Sequence, residues 1–591
     1  MRTELGRQAT IVAIAGLIFF TSLGGPSLWD IDEPRNAGCA REMLDRGDWI
    51  VPTFNGELRV HKPALLYWFM MTAYDVWGVN EFAARFWSAA FAVGTVLITY
   101  HGTKKVCGSA AAFWAALVLA TSLNYVVIAR AATPDSLYIF FSTAAIVLFW
   151  TGLATQPGKD GADDRPPTSA LRWTGIYAAM GLAVLAKGPI GALLNGAVVV
   201  LFLLWWQQPW PMIEQPARGW LSRLKPMFTF AARLADPRHI AKVIWSMRPL
   251  LGVGVLAAVI LPWYVAVGMR TGGRWIGEFL LTHNVQRFLT PMENHRGPFF
   301  YYAIAIAIGL FPWSLFLAPT IGNLRRNLRR SDAWDPRYLL PVCWIGVYFV
   351  FFSLATTKLP NYILPAYPPL AILTGCGLAE LLAARSERSI YWLRAASWLL
   401  TVCGILIAAA LPIVAYLYLP GEYAIALLGV IPAIGGAVCL WLLKSRGAQA
   451  ALRSFAATAV LFMLAGFGVA QLCVDRHQHT ARLIDDIRNS SGGQTHIAGF
   501  RFFRPSWVFY AGHEVDHLQD ARGALDFLCS PGAVLITTDA GMRELEPLLP
   551  ASVTELDRRQ KFLARGQIVV LGNRQVGELA RVSRSTRRPE H

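Results

Sequence analysis

About thirteen apolar runs, most of them roughly 17–25 residues long, leave this chain few architectures to choose from. Hydrocarbon offers no water to backbone N–H and C=O groups, so runs of this length read as α-helices crossing a bilayer. They fall at 9–23, 81–100, 110–128, 134–153, 173–187, 189–206, 250–267, 299–319, 339–354, 361–382, 393–417, 423–443 and 452–473. A shorter run, 64–77, borders a polar stretch and fits an interfacial or re-entrant helix. The N-terminus has the polarity of a signal peptide. It lacks a small-residue cleavage site followed by a soluble domain, so a retained first span is expected.

Composition fixes the class. Of 591 residues, 55% are hydrophobic and 15% charged, as in polytopic membrane proteins. A net charge of +17 would point a soluble protein toward nucleic acid. Here the cations sit mostly in short connections, so topology explains them and no nucleic-acid partner is expected. The eight cysteines lie mainly inside apolar runs, without metal spacing or a disulfide framework.

Starting with Arg2 and Arg7 inside, every second connection is basic: Lys104/Lys105, Lys159/Arg165, segment 218–248, Arg325/Arg326/Arg329/Arg330, Arg385/Arg388 and Lys444/Arg446. That alternation follows the positive-inside rule. The remaining connections are then extracytoplasmic: the stretch 29–68, residues 130–135, Lys187, 272–297 and 358–361. Polar residues suited to chemistry gather on one face. The expected fold is a polytopic α-helical membrane domain, 1–473, with a first outer loop over about 25–80. A small extracytoplasmic α/β domain, 474–591, follows, with strands at 495–500, 506–510, 533–538 and 567–571 and a helix at 519–528. No dinucleotide, zinc-protease, nucleophile-elbow or phosphate-loop motif occurs in a fitting context, and no internal repeat supports a transporter.

The first loop opens with Asp30, Asp32 and Glu33 and closes with Arg59, His61 and Lys62. Crowded carboxylates repel, which raises a pKa or recruits a cation; either suits accepting a proton from, or orienting, an acceptor. The structural alternative is a helix over 34–44 with Asp32 as N-cap and Pro34 in its first turn. The cations suit a lipid-linked phosphate at headgroup level, or ordinary snorkelling. Lys187, in Ala-Lys-Gly-Pro, lies at a helix break and is a candidate phosphate ligand. Asp135 opens a span, either as a site carboxylate or as an acid complementing the helix dipole. Segment 272–297 holds His283, Asn284, Gln286, Arg287, Glu293, His295 and Arg296, without close metal-ligand spacing. Lys358 precedes another span at the same face.

Taken in order, these residues resemble the GT-C glycosyltransferases of the aminoarabinose transferase and protein O-mannosyltransferase superfamily. The resemblance rests on Asp32-Glu33-x-Arg35, Arg41-Glu42-Met43-Leu44, Gly47-Asp48-Trp49-Ile50-Val51-Pro52, Lys62-Pro63 and Tyr67-Trp68. Asp135, Lys187-Gly188, Gln286-Arg287-Phe288, His295-Arg296-x-Pro298-Phe299, Pro312-Trp313 and Lys358-Leu359-Pro360-x-Tyr362-Ile363-Leu364-Pro365 complete it. It implies inverting transfer of a polyprenyl-phosphate-linked sugar to a glycolipid, glycan or protein acceptor, at the periplasmic face of a bacterial-type inner membrane. By the same resemblance Asp32 is the catalytic aspartate and Asp135 the second acidic position. Lys62 grips the carrier phosphate with Arg35, Lys358 and Lys187 beside it, while Glu33, Arg59, Asn284, Arg287 and Tyr362 support the site or face the acceptor.

The chain departs from the lipid A enzymes at two places. Tyr usually follows the Arg, and a metal-contacting Glu usually precedes Lys-Pro; here those are Asn36 and His61. His61 with His283 keeps a divalent-metal site open. The aminoarabinose enzymes also carry His where this chain has Asn284, with His283 one position earlier. Protein O-mannosylation is the rival activity; a lipid or polysaccharide transporter and a non-catalytic scaffold are the rivals of another class.

Overall fold

The computed structural model describes residues 2–153, 169–207, 233–286, 289, 297–330, 335–490 and 495–573. All thirteen apolar runs are helical over most of their length. Among the described residues, eight helices are long and apolar enough to cross a membrane, or up to ten if each bent pair is one span. Ile190–Trp206 is a shorter apolar helix, and Arg2–Phe20 and Ala170–Lys187 are helices outside that standard. The chain is a multi-pass membrane protein, and thirteen counts its apolar helical runs rather than its qualifying spans.

The two bends hold each other. Ser109–Ala120 meets Leu123–Ala129 at 66°, and Tyr301–Gly309 meets Trp313–Leu328 at 110°. Thr121 and Ser122 turn their hydroxyls onto the carbonyls of Leu117 and Val118, both at 2.6 Å. Such back-bonding competes with the helix ladder and bends it. Leu123 N–H then donates to Phe311 O (3.2 Å), and the Trp313 indole donates to Thr121 Oγ1 (2.7 Å).

Between helix Arg2–Phe20 and helix Glu81–Cys107 stands a small folded loop. Helix Asp32–Asp45 is followed by a hairpin, β1 (Thr53–Phe54) and β2 (Glu57–Leu58), then helix Leu65–Trp77. Asn55 and Gly56 have φ of 56° and 74°, as a two-residue turn matched to strand twist requires. The 13-residue helix Leu65–Trp77 agrees with the short run expected there. The expected cap does not form. Asp32 is the first helical residue rather than the N-cap, and Ile31, which holds that position, makes no side-chain cap bond.

The C-terminal unit is a mixed five-stranded sheet. Strands β3 (His496–Phe500), β4 (Asp516–Leu518), β5 (Ala533–Thr538), β6 (Val553–Gln560) and β7 (Gln567–Asn573) run in the order β4-β3-β5-β7-β6. β3 is parallel to β4 and β5, while β7 is antiparallel to β5 and β6. Alternate residues serve opposite faces. Ile497, Val534, Ile536 and Val570 pack with Ile484 and Trp507; Ala498, Leu535, Val569 and Leu571 pack with Leu528 and Leu545.

Residues 506–510, expected as a strand, lie instead in helix Pro505–Ala511. Pro505 at the first helical position and Gly512 at φ 81° set both ends, outweighing the β preference of Trp-Val-Phe-Tyr. This helix docks the unit onto the first loop. Arg41 donates to the carbonyls of Phe509 and Gly512, both at 3.0 Å, and Asn55 pairs reciprocally with the backbone of Val515.

Candidate active site

The charged residues of the first loop divide by what they touch. Asp30 accepts from the backbone N–H (3.0 Å) and hydroxyl (2.6 Å) of Ser506, capping the docking helix from 476 residues away. Burial pushes its carboxyl up, against the downward pull of those two bonds. Glu33 is buried and fully engaged. It takes two hydrogen bonds from Arg85 (2.7 and 2.8 Å), one from Trp29 N–H (2.8 Å) and one from Ala132 N–H (2.7 Å). Burial raises the Glu33 carboxyl, but the Arg85 charge and these bonds together hold it below the ordinary value. Arg59 is buried as well, donating to Tyr67 Oη and to Asn36 Oδ1, both at 3.0 Å. Asn36 in turn donates to Ala132 O (3.0 Å), which gives this departure from the family pattern a bracing role.

Asp32 is different. It is exposed, and makes no hydrogen bond or ion pair with any described residue. Arg35 lies three residues on, hence on the same face of the helix. Arg59 is close enough for its charge to feel Asp32, and His61 feels Arg59, His283, Lys62 and Arg35. Burial first and those neighbouring charges second push the His61 imidazole down to about 3, so it is neutral at physiological pH.

Asp135 and Lys187 form a second cluster. They are an ion pair with side chains 5% and 8% exposed. Asn361 Nδ2 reaches the other Asp135 oxygen at 3.4 Å. The Lys187 ammonium lies 5.5 Å from the ring centres of both Tyr138 and Tyr362. Below it, Tyr138 and Tyr348 hydroxyls meet at 3.1 Å, and Tyr348 donates to Asn195 Oδ1 at 2.9 Å. The Lys62 charge reaches Asp135, so the two clusters lie within electrostatic range of each other.

Lys358 sits apart from this chemistry. It is buried, and its ammonium donates to the carbonyls of Phe352 (3.1 Å), Ser353 (2.8 Å) and Ala355 (2.6 Å). Helix C-termini leave carbonyls without partners, and a cation there satisfies them. These bonds tie the Lys358 ammonium to the end of that helix. Glu33 and Arg59 are likewise bonded inside the protein. Asn284 donates to Phe279 O (2.7 Å), and its Oδ1 lies 3.5 Å from where a Cβ on Gly188 would stand. Arg287, Glu293, His295 and Arg296 lie outside the described residues, as do Lys159, Arg165 and Arg218.

The His61 and His283 rings are 4.1 Å apart between centroids, tilted by 36°. Among the described residues, no group of three or more His, Cys, Asp or Glu converges. Two imidazoles fall short of the three or four protein donors of usual zinc sites, so no step below passes through a metal. Tyr138 and Arg85 were not singled out in the sequence, and Asn361 entered only as the end of the outer connection 358–361. An arginine inside an apolar run is costly to bury, and Arg85 carried that signal.

A family model described as dolichyl-phosphate-mannose-protein mannosyltransferase matches residues 26–276, which include Asp32, Arg35, Lys62, Asp135 and Lys187. The solved ArnT from Cupriavidus metallidurans bound to undecaprenyl phosphate superposes with a TM-score of 0.73 at 23% identity, covering 97% of this chain and 98% of its own. The chain has the GT-C fold. Its sequence is similar to GT-C relatives named undecaprenyl phosphate-alpha-4-amino-4-deoxy-L-arabinose arabinosyl transferase. The one from Edwardsiella ictaluri is 32% identical, over 62% of this chain and 58% of its own length. The one from Pectobacterium carotovorum is 29% identical, over 73% and 70%. The match thus spans about six tenths of the length of the first of these curated relatives.

Proposed function

We propose that this protein transfers a sugar, with inversion, from a polyprenyl-phosphate donor to an envelope glycolipid of the lipid A type. The observation that carries this reading is the exposed Asp32 carboxylate, without a hydrogen bond or ion pair among the described residues, on the helix that carries Arg35 and within reach of the Arg59 charge. The names of the arabinosyl transferase relatives, and the undecaprenyl phosphate of the Cupriavidus structure, supply the donor class. The positive-inside alternation supports an inner-membrane protein with the site and the C-terminal unit facing the periplasm. The division into a membrane domain over 1–473 and a C-terminal domain over 474–591 belongs to the same reading.

In this reaction the acceptor oxygen bonds to the anomeric carbon while the bond from that carbon to the phosphate oxygen breaks. The electron pair leaves with the phosphate, where Lys62 and Arg35 meet the growing charge. Asp32 accepts the acceptor's proton. Lys187 neutralises Asp135, so Asp135 orders the site wall without competing for that proton. Protein O-mannosylation is the second reading, favoured by the matching family model; it asks the same of Asp32 with a Ser or Thr hydroxyl as nucleophile.

The test is transfer from radiolabelled polyprenyl-phosphate sugars to envelope extract by purified protein in detergent, with Lys62→Ala alongside. Label entering a lipid fraction, and lost in the variant, supports the first reading; label entering protein selects the second. A protein that binds polyprenyl phosphate yet consumes no donor is a carrier or scaffold instead.

A further inference from the structure

A second polar cleft lies at the opposite end of the helices that frame the site. Helix Tyr367–Ala384 begins just after Asn361 and Tyr362 and runs 18 residues, about 27 Å, away from them. At its far end is a cleft of about 320 Å³, lined among others by Gly322, Asn323, Arg326, Glu380, Ser386 and Arg388. One wall is helix Leu317–Arg330, which follows the 110° bend. Leu317, Leu324 and Leu328 turn inward onto the main core, while Arg325 and Arg326 are exposed. That is the pattern of a helix lying in a membrane interface.

The cleft has room because Gly322 carries no side chain. A Cβ there would stand 3.9 Å from Arg326 Nη1, its nearest neighbour. Arg325, Arg326, Arg385 and Arg388 are all exposed, and none forms an ion pair with a described residue. Arg326 makes one neutral bond, to Asn323 Oδ1 (3.1 Å). Two acids are near. Glu380 is held by Tyr338 Oη (2.6 Å) and Asn327 Nδ2 (3.1 Å), and Glu387 is exposed beside Arg388. Among the described residues that line the cleft, two arginines, Arg326 and Arg388, face one carboxylate, Glu380. Tyr391, 61% exposed, and Trp392, which lines the cleft, place an aromatic belt at this level.

We propose that this cleft binds the phosphodiester headgroup of an anionic glycerophospholipid from the leaflet opposite the active site. The phosphate sits between Arg326 and Arg388, and a headgroup hydroxyl donates toward Glu380. The acyl chains run along the apolar, lipid-facing side of helix Glu387–Tyr418, where Trp398 and Leu399 are exposed.

The test uses the purified full chain in detergent, titrated with phosphatidylglycerol, phosphatidylcholine or glycerol 3-phosphate, with retained lipid read by native mass spectrometry. Phosphatidylglycerol is retained by the wild type, and each of Arg326→Gln and Arg388→Gln weakens it about five-fold. Gly322→Leu fills the cleft at unchanged charge and abolishes retention, and decides the matter if the arginine variants aggregate. Equal retention of phosphatidylcholine, or retention unchanged in all three variants, overturns the proposal. Displacement by glycerol 3-phosphate at the same concentration overturns the lipid in favour of a soluble phosphate ester. The readout is bound lipid, so it stands apart from any transfer assay.

Discussion

Asp32 and Glu33 are neighbours in the chain with opposite fates. Glu33 lies inside, with four donors on its two oxygens; Asp32 lies outside, with none among the described residues. The helix that carries them turns about 100° per residue, so adjacent acids are sent to different environments. Charge density in the sequence marks the loop, while the helical period decides which charge builds the protein and which meets a substrate. The other end of the loop repeats the lesson, with Arg59 bracing Asn36 and Tyr67 while the Lys62 charge reaches Asp135.

The strongest way to break this comparison is to strand the inner acid. Arg85→Met removes the partner of Glu33 and is expected to cost about 3–5 kcal/mol, read as a loss of thermal stability. The pH response should also invert. In the wild type the Glu33 carboxyl titrates below its ordinary 4.5, so its contribution is complete above that pH and disappears as pH falls through the folded value. Without Arg85, burial dominates and the carboxyl titrates above 4.5. Acidification from neutrality should then stabilise the variant while leaving the Glu33 contribution in the wild type intact down to that range.

The second cluster sharpens the contrast through compensation. Lys187→Met leaves Asp135 buried without its ion-pair partner and is expected to cost a comparable amount, about 3 kcal/mol. Adding Asp135→Asn should return much of that stability. A double-mutant cycle in unfolding temperature checks the coupling. The smallest effect belongs to Asp30→Asn. It weakens one cap on the docking helix and should cost about 1 kcal/mol. Protease cleavage near residue 505 would rise while the membrane helices keep their unfolding temperature.

Much of the architecture was legible because apolar length and loop charge are local properties. The thirteen runs, the short helix Leu65–Trp77 and strands β3, β5 and β7 lie where the sequence placed them. Strand β6 escaped because it is a polar edge strand, Val-Thr-Glu-Leu-Asp-Arg-Arg-Gln, with a bulge between Glu555 and Asp557. In the candidate site, the sequence singled out Asp32, Lys62, Asp135 and Lys187, and the structure pairs the last two. What could not be read is which cations are already spent. Glu33 finds Arg85 52 residues on, Asp30 finds Ser506 across 476, and Lys358 turns back onto the helix it follows. The first two pairings are tertiary, and no spacing rule reaches them.

The most direct measurement is donor turnover by Asp32→Asn, with the variant's unfolding temperature taken on the same preparation. A carboxylate with no hydrogen bond or ion pair among the described residues should leave that temperature unchanged when it becomes an amide, while sugar transfer falls about 10²–10⁴-fold. Transfer at the wild-type rate by a folded Asp32→Asn protein would contradict the role given to Asp32.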